Sequence, residues 1–103
     1  MLGALAGDII GSIYEWNNIK TKDFPLFGEG CDFTDDTICT VAIAEWLITS
    51  GDLSDILAGY VLRHPGRGYG GMFGDWANQW EREPYNSWGN GSAMRVSPVG
   101  HFA

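Results

Sequence analysis

The sequence predicts an all-α fold. Apolar residues recur at helical spacing in several separate segments, and glycine or proline marks the connections between them. No stretch alternates apolar and polar residues as a half-buried strand would. With 103 residues, of which 45% are apolar, the chain has the length and composition of one globular domain. We therefore expect residues 1–103 to form a single helical domain.

The first helix is predicted over residues 2–16. Its large apolar side chains recur at intervals of three and four positions, at Leu2, Leu5, Ile9, Ile13 and Trp16. A second row consists of Gly3, Gly7 and Gly11. Because each glycine costs a helix about 1 kcal/mol relative to alanine, we expect another backbone to pass close to this row. The third row, Asp8, Ser12 and Glu15, is either a solvent face or the wall of a polar cleft.

Two further helices follow an irregular connection. Residues 17–33 contain one proline and two glycines and read as a long loop, which in a small domain is often functional. The second helix is predicted over residues 34–49, with Cys39, Ala42, Ile43, Trp46 and Leu47 on one stripe. It carries so few charges that it should be central and covered on most sides. The third helix is predicted over residues 53–63 and stops before Pro65.

The remaining sequence pairs two glycine loops with two apolar segments. The loop "RGYGG" leads into a fourth predicted helix that carries Met72 or Phe73, Trp76 and Trp80. The loop "SWGNGS" precedes a last predicted helix that begins at about Ser92. Bare backbone amides before a helix suit a phosphate group. A purely structural turn with Ser92 as the helix cap is the alternative.

Charge and cysteine content exclude several classes of protein. The 13 acidic residues outnumber the 6 basic ones, giving a formal charge of −7, whereas a nucleic-acid or anionic-membrane partner would require a basic face. The opening residues lack a positive leader, and Asp8 interrupts their apolar run, so we predict neither a signal peptide nor a membrane span. Cys31 and Cys39 are too few for a disulfide scaffold and indicate reduced thiols in the cytoplasm.

The stretch "FTDDT" places two adjacent carboxylates, Asp35 and Asp36, directly before the apolar second helix. In one interpretation Thr34 caps the helix and the aspartates lie favourably at the positive end of its dipole. In the other, the two carboxylates and the neighbouring hydroxyl form a site for a hard cation such as Mg²⁺ or Ca²⁺. The stretch alone does not separate these interpretations.

Four motifs together carry a family resemblance. The sequence contains, in order, "GALAGDIIGSIYE", "FTDDT", "RGYGG" and "GNGSAMRVSPVG". In this order and at these distances they resemble the N-terminal part of the ADP-ribosylglycohydrolase family, the relatives of dinitrogenase-reductase-activating glycohydrolase. Members of that family are hydrolases with a compact orthogonal helical fold. They use a two-magnesium centre to remove ADP-ribose from modified protein side chains or small acceptors.

Matched position by position, the resemblance implies roles for residues in each motif. Thr34, Asp35 and Asp36 would be metal ligands, and Glu15 would be the acidic residue of the catalytic cleft. The substrate ADP-ribose would lie along the two glycine loops, with Trp88 or Tyr69 stacking on its adenine. The implied substrate-binding residues are Gly68, Tyr69, Gly70, Gly71, Ser87, Trp88, Gly89, Asn90 and Gly91. Asp8, in the "GD" of the first motif, is expected to be structural.

The resemblance also implies a second ligand cluster, Asp-x-Asp-Thr, that this sequence lacks. We therefore expect an N-terminal portion of the family's domain, and its activity on its own is open. A non-catalytic helical module, either an ADP-ribose-binding remnant or a structural one, is the alternative function. Five tryptophans and five phenylalanines in so short a chain also predict exposed apolar surface and a symmetric homodimer.

Overall fold

A computed structural model describes residues 1–102, and all of its regular structure is helical. The helices are α1 (Leu2–Gly11), α2 (Asp35–Thr49), α3 (Leu53–Arg63), α4 (Gly71–Asn78), α5 (Gly91–Met94) and α6 (Ser97–Phe102), and a 3-10 turn, Ser12–Tyr14, follows α1. Residues 1–102 contain no strand. The predicted all-α fold is therefore confirmed. None of the helices described has both the length and the apolar character needed to cross a membrane.

Helix α2 is the centre of the fold, as its apolar sequence predicts. It contacts α1, α3, α5 and α6. Its buried residues are Ile38, Cys39, Thr40, Ala42 and Ile43. Cys39, Ala42 and Ile43 form the main core with Leu57 of α3, and Trp46 and Leu47 pack against it. The predicted apolar stripe therefore holds the core together.

Helices α3 and α4 pack through small side chains. Ala58 and Val61 of α3 meet Ala77 of α4, and both alanines are completely buried. Small residues let two helices approach closely, and the larger Phe73 and Trp76 fill the space beside them. Helix α3 has the predicted bounds, and the Asp52 carboxylate accepts a hydrogen bond from the Asp55 amide at 2.9 Å as its N-cap. This packing fixes the start of α4, where the first glycine loop ends.

The first helix is shorter than predicted. It ends at Gly11 instead of continuing to Trp16, because the Ser12 hydroxyl donates to the Ile9 carbonyl at 2.8 Å and the chain tightens into the 3-10 turn. The expected close backbone beside Gly3, Gly7 and Gly11 is also wrong for residues 1–102. A Cβ atom placed on any of these glycines would meet nothing within 4 Å.

Two other predicted helices have different ends. Helix α4 stops at Asn78, and Trp80 lies outside it with 97% of its surface exposed. The Arg82 guanidinium donates to the Ala77 carbonyl, which a longer helix would need for its own ladder. The single helix predicted from Ser92 is broken into α5 and α6. Pro98 has no N–H to donate to the Met94 carbonyl, so the helix cannot continue unbroken.

Candidate functional site

A cavity of about 600 Å³ lies between the start of α2 and the two glycine loops. Three carboxylates line it, from Glu15, Asp35 and Asp36. Glycine-loop residues, aromatic residues and one arginine also line it: Gly70, Gly71, Phe73, Trp76, Tyr85, Ser87, Trp88, Gly89, Asn90, Gly91 and Arg95. The cavity therefore combines acidic groups, exposed backbone and aromatic rings.

The first turn of α2 is held by three different parts of the chain. The Asp35 amide donates to the Arg67 carbonyl at 2.8 Å, and the Asp36 amide donates to Thr34 Oγ1 at 3.4 Å. The Thr37 amide donates to Oδ2 of Asp8 at 3.2 Å. Thr34 is thus the N-cap of α2, as the capping interpretation requires. Because capping is performed by Thr34 and Asp8, the carboxylates of Asp35 and Asp36 are not needed for it.

Asp8 connects α1 to the start of α2. Its Oδ2 accepts hydrogen bonds from the Thr34 amide at 2.8 Å and from the Thr37 hydroxyl at 2.6 Å, in addition to the Thr37 amide. Its Oδ1 accepts from the Thr34 hydroxyl. Thr34, a predicted metal ligand, is not among the residues that line the cavity, whereas Asp35 and Asp36 are. The expected structural role of Asp8 is directly visible in these contacts.

The two aspartates of α2 lie in an electrostatically unfavourable place. Burial, followed by the negative charges of Asp36 and Glu15, raises the pKa of Asp35 to about 6. Burial and then the charge of Asp8 raise the pKa of Asp36, while Arg95 lowers it. Within residues 1–102 neither carboxylate takes part in an ion pair. A cation between them would therefore relieve their repulsion.

The first glycine loop lies against Asp35. Gly68 has a positive φ of 93°, and a Cβ atom there would lie 3.6 Å from Oδ1 of Asp35. Gly70 and Gly71 line the cavity, whereas Gly68 and Tyr69 do not. The Tyr69 hydroxyl donates to the His64 carbonyl at 2.7 Å, and its ring packs against Phe73 at 6.1 Å between centroids. The structure therefore places the half-buried Tyr69 against the small core between α3 and α4.

All five predicted residues of the second glycine loop, residues 87–91, line the cavity. Trp88 is 98% exposed, so its indole ring is free to stack on a flat ligand. The suggestion that Ser92 caps the next helix is wrong, because α5 begins at Gly91 and its N-cap is Asn90, which makes no side-chain capping bond. The loop is thus not closed by a serine cap.

Arg95 is a cavity residue that the sequence interpretation missed. Its guanidinium lies 5.0 Å from the centroid of the Phe73 ring, and its Nε donates to the Gly91 carbonyl at 2.8 Å. A Cβ atom on Gly91 would come within 2.8 Å of Nη2 of Arg95. The spacing of four residues between Gly91 and Arg95 was the available signal, because it places both on one face of a helical turn.

Comparison with protein families decides the family. The ADP-ribosylglycohydrolase model matches residues 1–103. The chain belongs to the ADP-ribosylglycohydrolase family. Searches of curated proteins and of solved structures gave no match. The family assignment indicates an ADP-ribosylglycohydrolase-like function.

The acidic residues that line the cavity of this family member are Glu15, Asp35 and Asp36. In the part of the chain from residue 1 to 102, no three histidine, cysteine, aspartate or glutamate side chains come together as a group that could hold a metal ion. Asp35 and Asp36 are adjacent in the sequence, and both line the cavity. Any ion bound there would need further ligands beyond these two carboxylates.

Proposed function

We propose that this chain is a magnesium-dependent hydrolase that removes ADP-ribose from modified protein side chains or small acceptors. The observation that carries the proposal is that one cavity is lined by Glu15, Asp35 and Asp36 together with residues of both glycine loops. The family assignment supports the same chemistry. The two free cysteines, Cys31 and Cys39, fit a reducing compartment, so we propose a cytoplasmic location.

The proposed ligands of Mg²⁺ are Asp35 and Asp36, together with the adjacent Thr34. Carboxylate and hydroxyl oxygens are the donors that Mg²⁺ prefers, and it commonly keeps several waters while one or two carboxylates hold it. The donor set therefore fits a partly hydrated ion, although the family's complete centre holds two. When bound, Mg²⁺ supplies positive charge that orients ribose hydroxyls and acidifies water.

Glu15 is the proposed catalytic residue. It follows the 3-10 turn, lines the cavity, and is close enough to Asp35 for its charge to raise the pKa of that residue. Its carboxylate would accept a proton from, or orient, the water that attacks the anomeric carbon. The negative charges around this carbon would stabilise the oxocarbenium-like character that develops there.

The two glycine loops are the proposed substrate-binding surface. Backbone amides of Gly70, Gly71 and the 87–91 loop would receive the diphosphate, since glycine leaves them accessible. The exposed indole of Trp88 is the proposed stacking surface for adenine. Tyr69 is less suited to stacking, because its hydroxyl already bonds to His64.

Release of ADP-ribose tests the proposal. The 103-residue chain is incubated with Mg²⁺ and, in turn, ADP-ribosylated arginine, ADP-ribosylated serine and O-acetyl-ADP-ribose. We expect Mg²⁺-dependent release from at least one of them, a loss of at least about a hundredfold in Glu15→Gln, and little change in the exposed control Glu29→Gln. Near-normal rates in Glu15→Gln would remove Glu15 from the chemistry.

A non-catalytic ADP-ribose-binding module is the second candidate. It is favoured by the absence, within residues 1–102, of a group of three side chains that could hold a metal ion. Calorimetric titration with ADP-ribose distinguishes the two functions. Binding without turnover of any of the three substrates indicates the module, and binding of neither ADP-ribose nor Mg²⁺ indicates a structural role.

A further inference from the structure

We propose that Asp8 is a positioning residue that sets the direction of the carboxylates at the start of α2. It lies on α1, outside the residues that line the cavity. Its hydrogen bonds join it to residues 26 and 29 positions away in the chain. Asp8 is therefore a long-range tie between two helices at the edge of the candidate site. The link to metal binding rests on the proposed function, whereas the positioning role itself does not.

The first step is that Asp8 fixes both ends of one helical turn. It accepts from the amide and hydroxyl of Thr34, the N-cap, and from the amide and hydroxyl of Thr37, three residues later. Asp35 and Asp36 are the two residues between these anchors. Their backbone is therefore clamped from both sides by a single carboxylate.

The second step concerns the proton of the Thr34 hydroxyl. Because this proton is donated to Asp8, the Oγ1 lone pairs of Thr34 are left as acceptors. One of them accepts from the Asp36 amide at 3.4 Å. Asp8 thus orients the Thr34 hydroxyl so that its oxygen caps the first turn of α2, which carries Asp35 and Asp36.

The third step concerns Arg67, which also stabilises the first turn of α2 but contacts a different residue from those bound by Asp8. The Arg67 carbonyl accepts a hydrogen bond from the Asp35 amide at 2.8 Å. Within residues 1–102 it accepts none from Thr34 or Thr37. Loss of Asp8 therefore leaves four donors without their acceptor, which the Arg67 contact does not replace. The directions of Asp35 and Asp36 should then become less well defined.

The test compares Asp8→Asn with Asp52→Asn. Asp52 also caps a helix through its carboxylate, but at the start of α3 and outside the cavity. Two quantities are measured in the full chain: Mn²⁺ affinity by calorimetry, and amide hydrogen exchange by NMR. We expect Asp8→Asn to weaken Mn²⁺ binding about tenfold to a hundredfold and to speed exchange at Thr34 and Thr37. Asp52→Asn should change neither. If Asp8→Asn does not fold, Thr37→Val is tested in its place, because it removes only the hydroxyl hydrogen bond to Asp8. We expect it to weaken Mn²⁺ binding less than Asp8→Asn would.

The outcomes separate this proposal from the proposed function. Normal exchange at Thr34 and Thr37 together with normal Mn²⁺ affinity in Asp8→Asn would overturn the positioning role. Equal losses in Asp8→Asn and Asp52→Asn would also overturn it, since they would indicate only a general loss of stability. If the unaltered chain takes up no Mn²⁺, the metal centre of the proposed function fails, and exchange alone decides: faster exchange confined to residues 34–37 supports Asp8, and unchanged exchange refutes it.

Discussion

At the scale of single residues, Asp35 should make stability depend on pH. Its pKa is raised from 3.8 to about 6, mainly by burial. Between these two values the folded chain binds more protons than the unfolded chain, so stability falls as pH rises through this window and levels off above it. Asp35→Asn should remove this fall and stabilise the chain by about 1 kcal/mol near pH 7.5, allowing for solvent screening of a partly exposed group.

Urea unfolding at several pH values measures this effect. Asp23→Asn, an exposed aspartate in the connection before α2, is the control and should leave the pH dependence unchanged. The assignment to Asp35 would be incorrect if the unaltered chain and Asp35→Asn lost the same stability between pH 4 and pH 6.

A second prediction at this scale concerns Gly91. Alanine there would place a Cβ atom 2.8 Å from Nη2 of Arg95, so the guanidinium must leave its place over Phe73. Gly91 is the first residue of the short helix α5 and the displaced Arg95 side chain is flexible, so the melting temperature should change little. Because Arg95 is a cation that lines the cavity, we expect its displacement to lower the affinity for the anionic ADP-ribose severalfold. Gly74→Ala in α4 is the control, because its Cβ would meet nothing within 4 Å and Gly74 does not line the cavity. Equal affinities in the two variants would contradict a role for Arg95.

At the scale of elements, Arg67 ties the long connection before α2 to the first glycine loop. Its Nη1 donates to Asp32 at 2.6 Å and to the Phe33 carbonyl at 3.1 Å, and its guanidinium lies 3.6 Å from the Phe33 ring centroid. The hydrogen bond from Arg67 also lowers the pKa of Asp32. One side chain therefore joins two segments that have no regular structure of their own.

Arg67→Ala should release both segments together. We expect the melting temperature to fall by about 5 °C and limited proteolysis to cleave first between residues 17 and 33. Arg63→Ala is the control, because Arg63 also lies over an aromatic ring, that of Tyr60, but has no ion pair among the residues described. Similar cleavage of both variants would show that Arg67 does not anchor the connection.

At the scale of the whole molecule, the structure leaves much apolar surface exposed. The radius of gyration is 14.5 Å, whereas about 13 Å is typical of a domain of this length. Leu2 and Ile48 expose 83% and 79% of their surfaces. Exposed patches beyond a few hundred Å² are uncommon on monomers. We therefore expect self-association, with a symmetric dimer as the simplest form.

Sedimentation at micromolar concentration checks this expectation. The double variant Leu2→Lys with Ile48→Lys should shift the population toward monomer, since charged side chains resist burial in an interface. Leu2→Met with Ile48→Met keeps the apolar surface and serves as the control. A monomeric unaltered chain that binds no hydrophobic dye would contradict the prediction.

The sequence by itself determined the helices and the family. The bounds of α2 and α3 follow from local signals, namely the caps Thr34 and Asp52 and an apolar stripe at helical spacing, and these signals act over a few residues. The motifs likewise sufficed for the family. Apolar periodicity gave the wrong end for α1, where the Ser12 hydroxyl bonds to the Ile9 carbonyl. It also missed the break before α6, where Pro98 interrupts the helix.

Only the tertiary structure decided which side chains meet. It joined Asp8 to Thr34 and Thr37, placed Arg95 in the cavity, and packed the half-buried Tyr69 against the core and outside the cavity lining. The physical reason is that helical periodicity gives the face on which a side chain lies but not the segment that will pack against that face. Contacts across more than twenty residues depend on how the helices cross, and this is set by the packing of the entire core.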